Sequence, residues 1–128
     1  MKTPTNLLPL ASRNAAGASA AQNTDGTKTA AAVIVNVTAL DPGATLSVSM
    51  EAGGTPIVQT RSPIDRPCRY VMAHGDGLAL DSVNAQGGLS GTTGDFGSVH
   101  SAALPANWTA NWSVSGGAVT FSLDVVTQ

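Results

Sequence analysis

Apolar and polar residues alternate most regularly at the end of the chain. Trp108, Ala110, Trp112 and Val114 fall on one side of an extended backbone, and Thr109, Asn111 and Ser113 on the other. After Ser115-Gly116-Gly117 the alternation resumes, with Val119, Phe121, Leu123 and Val125 against Thr120, Ser122 and Asp124. A period of two means strands with one dry face and one wet face. A short Gly-containing link between two such runs predicts a β-hairpin.

A second alternating pair lies earlier. Ala31–Thr38 is β-branched and apolar almost throughout, which predicts a central strand. Asp41-Pro42-Gly43 reads as a turn, because Pro presets its backbone angle and Gly accepts positive φ. Thr45–Glu51 then alternates cleanly, so these two runs predict another hairpin, ended by Gly53-Gly54. Pro56–Thr60 reads as a short strand, Pro63 and Pro67 bracket an edge or irregular segment, and Cys68–Ala73 reads as a strand. His74-Gly75-Asp76-Gly77 reads as a turn, Leu78–Val83 as a short strand, Asn84–Gly97 as a loop, and Val99–Leu104 as a strand that Pro105 ends. No helix of ordinary length is supported. About seven to nine short strands with frequent turns predict an all-β fold, a single β-sandwich of jelly-roll-like type spanning 31–128.

Residues 1–30 lack a sustained apolar period and are rich in Ala, Thr, Asn, Ser and Gly. They read as an extended N-terminal arm, with a short strand near Ser12–Ala18. Such a segment buries too little to order by itself and would order against a partner, with Leu7, Leu8 and Leu10 as its apolar anchors.

Composition narrows the classes. A chain of 128 residues is one domain of common size. Aromatic residues make up only 4%, so the core must be built from Val, Leu, Ile and Ala. Charged residues are 11%, against the usual quarter, so the polar surface is mostly Thr, Ser, Asn, Gln and Gly. The net charge is −2, and the nearest thing to a basic cluster is the scattered Arg61, Arg66 and Arg69. Phosphate neutralisation needs convergent cations, so neither nucleic acid nor an acidic membrane is an expected partner. One cysteine, Cys68, rules out an intrachain disulfide and a multi-cysteine zinc site. No apolar run approaches a membrane span, and Leu7-Leu8-Pro9-Leu10 is too short for a signal-peptide core. Asn36-Val-Thr38, Asn107-Trp-Thr109 and Asn111-Trp-Ser113 match the glycosylation pattern, but they fall inside strands and read as accidental.

Few residues suggest chemistry. His74, Asp76 and Asp81 are close in sequence and of metal-binding or general-base type, but a polar turn has the same composition. Asp95, Ser98, His100 and Ser101 would make a triad on paper, yet no nucleophile-elbow motif surrounds a serine. Gly91-Thr-Thr-Gly94-Asp-Phe-Gly97 lacks the lysine and helix of a phosphate loop. Arg66 and Arg69 near Cys68 are the kind of neighbours that lower a thiol pKa, against the plainer reading of a strand cysteine. Trp108 and Trp112 would form a sugar-stacking platform if they faced solvent, but they share a side with Ala110 and Val114 and read as core. The expectation is no catalytic residue, no cofactor and no metal.

One set of segments carries a resemblance. Leu7-Leu-Pro-Leu-Ala-Ser-Arg-Asn-Ala-Ala-Gly17 leads through a Thr/Asn/Gly spacer to Val33-Ile-Val-Asn-Val-Thr-Ala39, then a turn and Ala44-Thr-Leu-Ser-Val-Ser-Met-Glu-Ala52. Leu104-Pro-Ala-Asn-Trp-Thr-Ala-Asn-Trp-Ser-Val114 and an alternating last strand close the chain. This resembles small head decoration (cement) proteins of tailed bacteriophages. The match covers both ends well and residues 53–103 poorly, and a shorter Gly-Gly-Thr-Pro stands where such proteins carry a longer charged segment. The resemblance implies a non-enzymatic virion protein made in the bacterial host cytoplasm. It would act as a homo-oligomer, dimer or trimer, on the capsid surface, clamping major capsid protein subunits through Leu7, Leu8 and Leu10. Two other classes stay open: a phage tail or surface module that binds a host glycan through Asn84–Gly97 and an exposed Trp, and a small hydrolase using His74, Asp76 and His100.

Overall fold

The computed structural model describes residues 4–60, 62–75, 98–100 and 103–128. Among them are nine strands and no helix: β1 (Thr5–Arg13), β2 (Gly17–Ala18), β3 (Ala30–Leu40), β4 (Thr45–Ala52), β5 (Thr55–Gln59), β6 (Cys68–Gly75), β7 (Ser98–His100), β8 (Thr109–Ser115) and β9 (Val119–Thr127). They make a five-stranded sheet in the order β1-β9-β3-β6-β7 and a four-stranded sheet in the order β2-β8-β4-β5. Every pairing is antiparallel except that of β7 with β6, which is parallel. The all-β, two-sheet architecture is the one the alternation predicts.

The core lies between the sheets. Val33, Val35 and Val37 of β3, Phe121 and Leu123 of β9, Leu46, Val48 and Met50 of β4, and Trp108 and Ala110 beside them make one buried cluster. Fully burying a side chain such as Leu46 stabilises the fold by roughly 1.5–3 kcal/mol. Ala32 and Ile34, on the other face of β3, join Val71, Ala73 and Val126 in a second buried cluster. The continuous apolar run of β3 is thus explained: the strand sits between β9 and β6 and is dry on both faces.

Neither predicted hairpin is a hairpin. β3 and β4 lie in different sheets, as do β8 and β9. Their links are arches over the end of the sandwich, and the apolar faces of consecutive strands look at each other across the core. Asp41 ties the two arches together. Its backbone N–H donates to Ala118 O at 2.9 Å, and its Oδ2 accepts the Ala118 N–H at 2.8 Å. Gly116 has φ of 78°, and a Cβ there would lie 2.5 Å from Gly43 O, so only glycine lets the arches touch. The true hairpin is β4–β5, where Gly53 and Gly54 turn the chain with φ of 61° and 81° between the paired Ala52 and Thr55. Two positive φ values are the mark of the type I′ turn that suits twisted strands. After β5 the chain stays beside β4, with Thr60 N–H donating to Val48 O and Leu46 and Ile64 exchanging two backbone bonds.

The separate arm expected over 1–30 is not what the structure places there. Thr5–Arg13 is an edge strand of the five-stranded sheet, paired from Thr5↔Val125 to Arg13↔Val119. Gly17–Ala18 is an edge strand of the other sheet, paired with Trp112 and Asn111. The apolar period is missing because an edge strand with two register shifts does not need one; most of its side chains are exposed. The expected turn at His74-Gly75 is the last part of β6, held to Ala31 and Ala30 of β3. The expected strand Val99–Leu104 is strand at Ser98–His100, while Leu104 is buried outside any strand. The Leu78–Val83 and Asn84–Gly97 expectations lie outside the described residues.

Candidate functional site

The three proposed anchors do not act alike. Leu7 and Leu8 are half-buried and pack against the protein's own core. Leu10 is 55% exposed, a large apolar side chain left in solvent on an edge strand. The strand that carries them is fastened by Arg13. Its guanidinium donates to Pro9 O at 2.7 Å, Ala11 O at 3.2 Å and Phe121 O at 2.9 Å, and stands 5.1 Å from the centre of the Phe121 ring. The carbonyls at Pro9 and Ala11 are thereby engaged, and Pro9 has no N–H to offer. This edge is poorly suited to accept another strand.

The residues weighed for chemistry are not assembled into a site among the described residues. His74 is 3% exposed at the end of β6, in parallel register with His100 of β7. Asp76, Asp81, Asp95, Ser101 and the 91–97 loop lie outside the described residues. Among the described residues no three His, Cys, Asp or Glu side chains are grouped to hold a metal. Cys68 packs against the core, and Arg69, next along the strand, falls on the opposite face. Arg66 pairs with the Asp65 carboxylate at 3.2 Å on the surface. Trp108 is fully buried, and its indole N–H finds no acceptor. Trp112 packs edge-on to Phe121, with ring centres 6.1 Å apart, and its ring passes so close to Gly17 that a Cβ there would meet Cζ2 at 2.5 Å.

The feature that sequence reading missed is an open groove of about 740 Å³ on the outer face of the four-stranded sheet. Its floor is built on the cross-strand pairs Ser47↔Ser113 and Ser49↔Asn111 of β4 and β8, with Glu51 beyond them. Residues of Ala16–Ala18 border one side, and Pro56 and Pro63 the other. Ser49 Oγ donates to Glu51 Oε2 at 2.7 Å, and Thr109 Oγ1 donates to Asn111 Oδ1 at 2.6 Å. The wet half of each alternation lists these residues, but only the pairing of β4 with β8 makes them neighbours.

No family model, curated protein or solved structure matches this chain.

Proposed function

We propose that the protein is a non-enzymatic β-sandwich module of the jelly-roll type that works by binding other macromolecules. Within that class, the reading that fits best is a capsid decoration (cement) protein of a tailed bacteriophage, a homo-oligomer seated on the outer surface of the head and bridging major capsid subunits. The observation that carries the reading is the strand order. The orders β1-β9-β3-β6 and β2-β8-β4-β5, with β7 as an added strand, support a reading as the two four-stranded layers of a jelly roll. Jelly rolls recur in viral capsid and lectin domains. A fold alone does not assign a role, so the surface matters as well. The polar face of the four-stranded sheet is nearly uncharged, and Leu10 projects from an edge that its own Arg13 closes to strand addition. Contacts between copies or with capsid subunits would then run through side chains. Weak contacts repeated over a symmetric lattice add up through avidity.

The test is co-sedimentation of the purified protein with expanded, undecorated heads of the cognate phage. Wild type should bind saturably. Leu10→Asp, which changes an exposed side chain and leaves the core alone, should bind at least about tenfold more weakly. Absence of wild-type binding to expanded heads would remove the cement role. Equal binding by Leu10→Asp would move the contact off β1.

A further inference from the structure

We propose that the groove on the outer face of the four-stranded sheet is a binding site for a neutral oligosaccharide. This goes beyond the decoration role and does not rest on it. The groove, at about 740 Å³, is within the range of roughly 300–1,000 Å³ common for small-molecule sites. Its chemistry is that of hydroxyls and amides. The Ser47 and Ser113 hydroxyls and the Asn111 amide N–H groups have no protein partner among the described residues, so they are open to a ligand. Groups that both donate and accept match sugar hydroxyls, which do the same.

Charge decides between ligand classes. Among the described lining residues none is cationic and Glu51 is the one acid, so from those residues a phosphorylated, sulfated or sialylated ligand would meet a carboxylate and no neutralising cation. An extended peptide is disfavoured for a different reason. The backbone groups of β4 and β8 are already paired with each other and with the flanking strands, so the groove floor offers side chains and no ladder to take up peptide amides. A sugar ring brings hydroxyls around its rim and apolar C–H faces. The hydroxyl grid suits the first, and Ala18, Pro56 and Pro63 at the margins suit the second. Trp112 borders the groove while Trp108 is fully buried, so indole emission can report on occupancy.

The experiment presents the full-length protein to an array of neutral oligosaccharides of hexoses and N-acetylhexosamines, printed beside sialylated and sulfated versions. The tightest neutral binder is then titrated by tryptophan fluorescence into wild type, Asn111→Ala and Ser113→Arg, with thermal melting as the fold control. Neutral oligosaccharides should bind and their anionic versions bind more weakly. Asn111→Ala should weaken binding about fivefold to tenfold. Ser113→Arg, which lays a long cationic side chain across the floor, should abolish it with melting unchanged. The proposal is overturned if no neutral oligosaccharide binds at millimolar concentration. Anionic versions binding as well or better would overturn it too, as would full binding by Asn111→Ala and a folded Ser113→Arg.

Discussion

Asn23 shows how much one side chain can organise. It sits at φ of 54°, in the left-handed region that asparagine tolerates better than most residues. Its amide nitrogen donates to Lys28 O at 3.3 Å and Pro105 O at 3.0 Å, its Oδ1 accepts the Lys28 N–H at 2.9 Å, and its carbonyl accepts the Gly26 N–H. A polar residue in an apparently featureless spacer therefore closes the 23–28 loop and anchors it to the segment before β8. In that loop the Thr27 backbone N–H, and after it the Thr27 hydroxyl, hold the Asp25 carboxyl below its ordinary pKa. Asn23→Ala should lower stability by about 2–3 kcal/mol, from lost hydrogen bonds plus left-handed strain. Asn23→Gly should recover about 1 kcal/mol of that, because it relieves the strain alone. Urea denaturation of the three proteins checks the order, and equal losses in the two variants would discard the strain contribution.

At the scale of elements, the connections matter more than the strands. The arches after β3 and β8 look like hairpin turns in sequence, yet they span the two sheets and hold each other through Asp41. Asp41→Ala leaves the Ala118 N–H without its side-chain acceptor and should cost about 1–2 kcal/mol. Asp41→Asn keeps an acceptor oxygen and should cost less; an equal loss in the two variants would mean that the charge, and not the hydrogen bond alone, holds the arches. β1 is fastened differently, by a guanidinium that reaches carbonyls on two strands. Glutamine cannot span that fork. Arg13→Gln should therefore speed amide hydrogen exchange in Thr5–Arg13 while leaving β3 as protected as in wild type. Unchanged exchange in β1 would show that pairing with β9 suffices to hold it.

For the whole molecule the decisive fact is that β9, last in the chain, lies between β1 and β3. The five-stranded sheet cannot close until β9 has joined it. β9 brings Phe121 and Leu123 to the core, together with the backbone partners of two other strands. Removing residues 119–128 should leave a chain without the cooperative thermal transition of the full protein, read by far-ultraviolet circular dichroism. A cooperative melt in the truncated chain would show that the four-stranded sheet and the remaining strands form a unit without β9. Because the pairings join distant segments, refolding of the intact chain should fall in the millisecond-to-second range, on the order of other β-sandwiches.

Local sequence settled which face of the alternating strands is dry. Val119, Phe121, Leu123 and Val125 are buried on one face as their alternation requires, Trp108 is core, and the unbroken apolar run of β3 marks a strand covered on both sides. These readings succeed because side-chain direction in a strand depends only on position along it. Tertiary structure decided the rest. Two alternating runs joined by a turn can pair edge to edge or face each other across a core, and the inward residues are the same in both cases. Backbone hydrogen bonds between distant segments choose between these, and they carry no local pattern. For that reason the hairpins became arches, and the expected arm was taken up as β1 and β2. The grid of Ser47, Ser49, Asn111 and Ser113 likewise became a surface only when β4 met β8. At Gly53-Gly54 the sequence reading ends a hairpin whereas the structure turns one, although two glycines directly between two strands are a local signal for a type I′ turn.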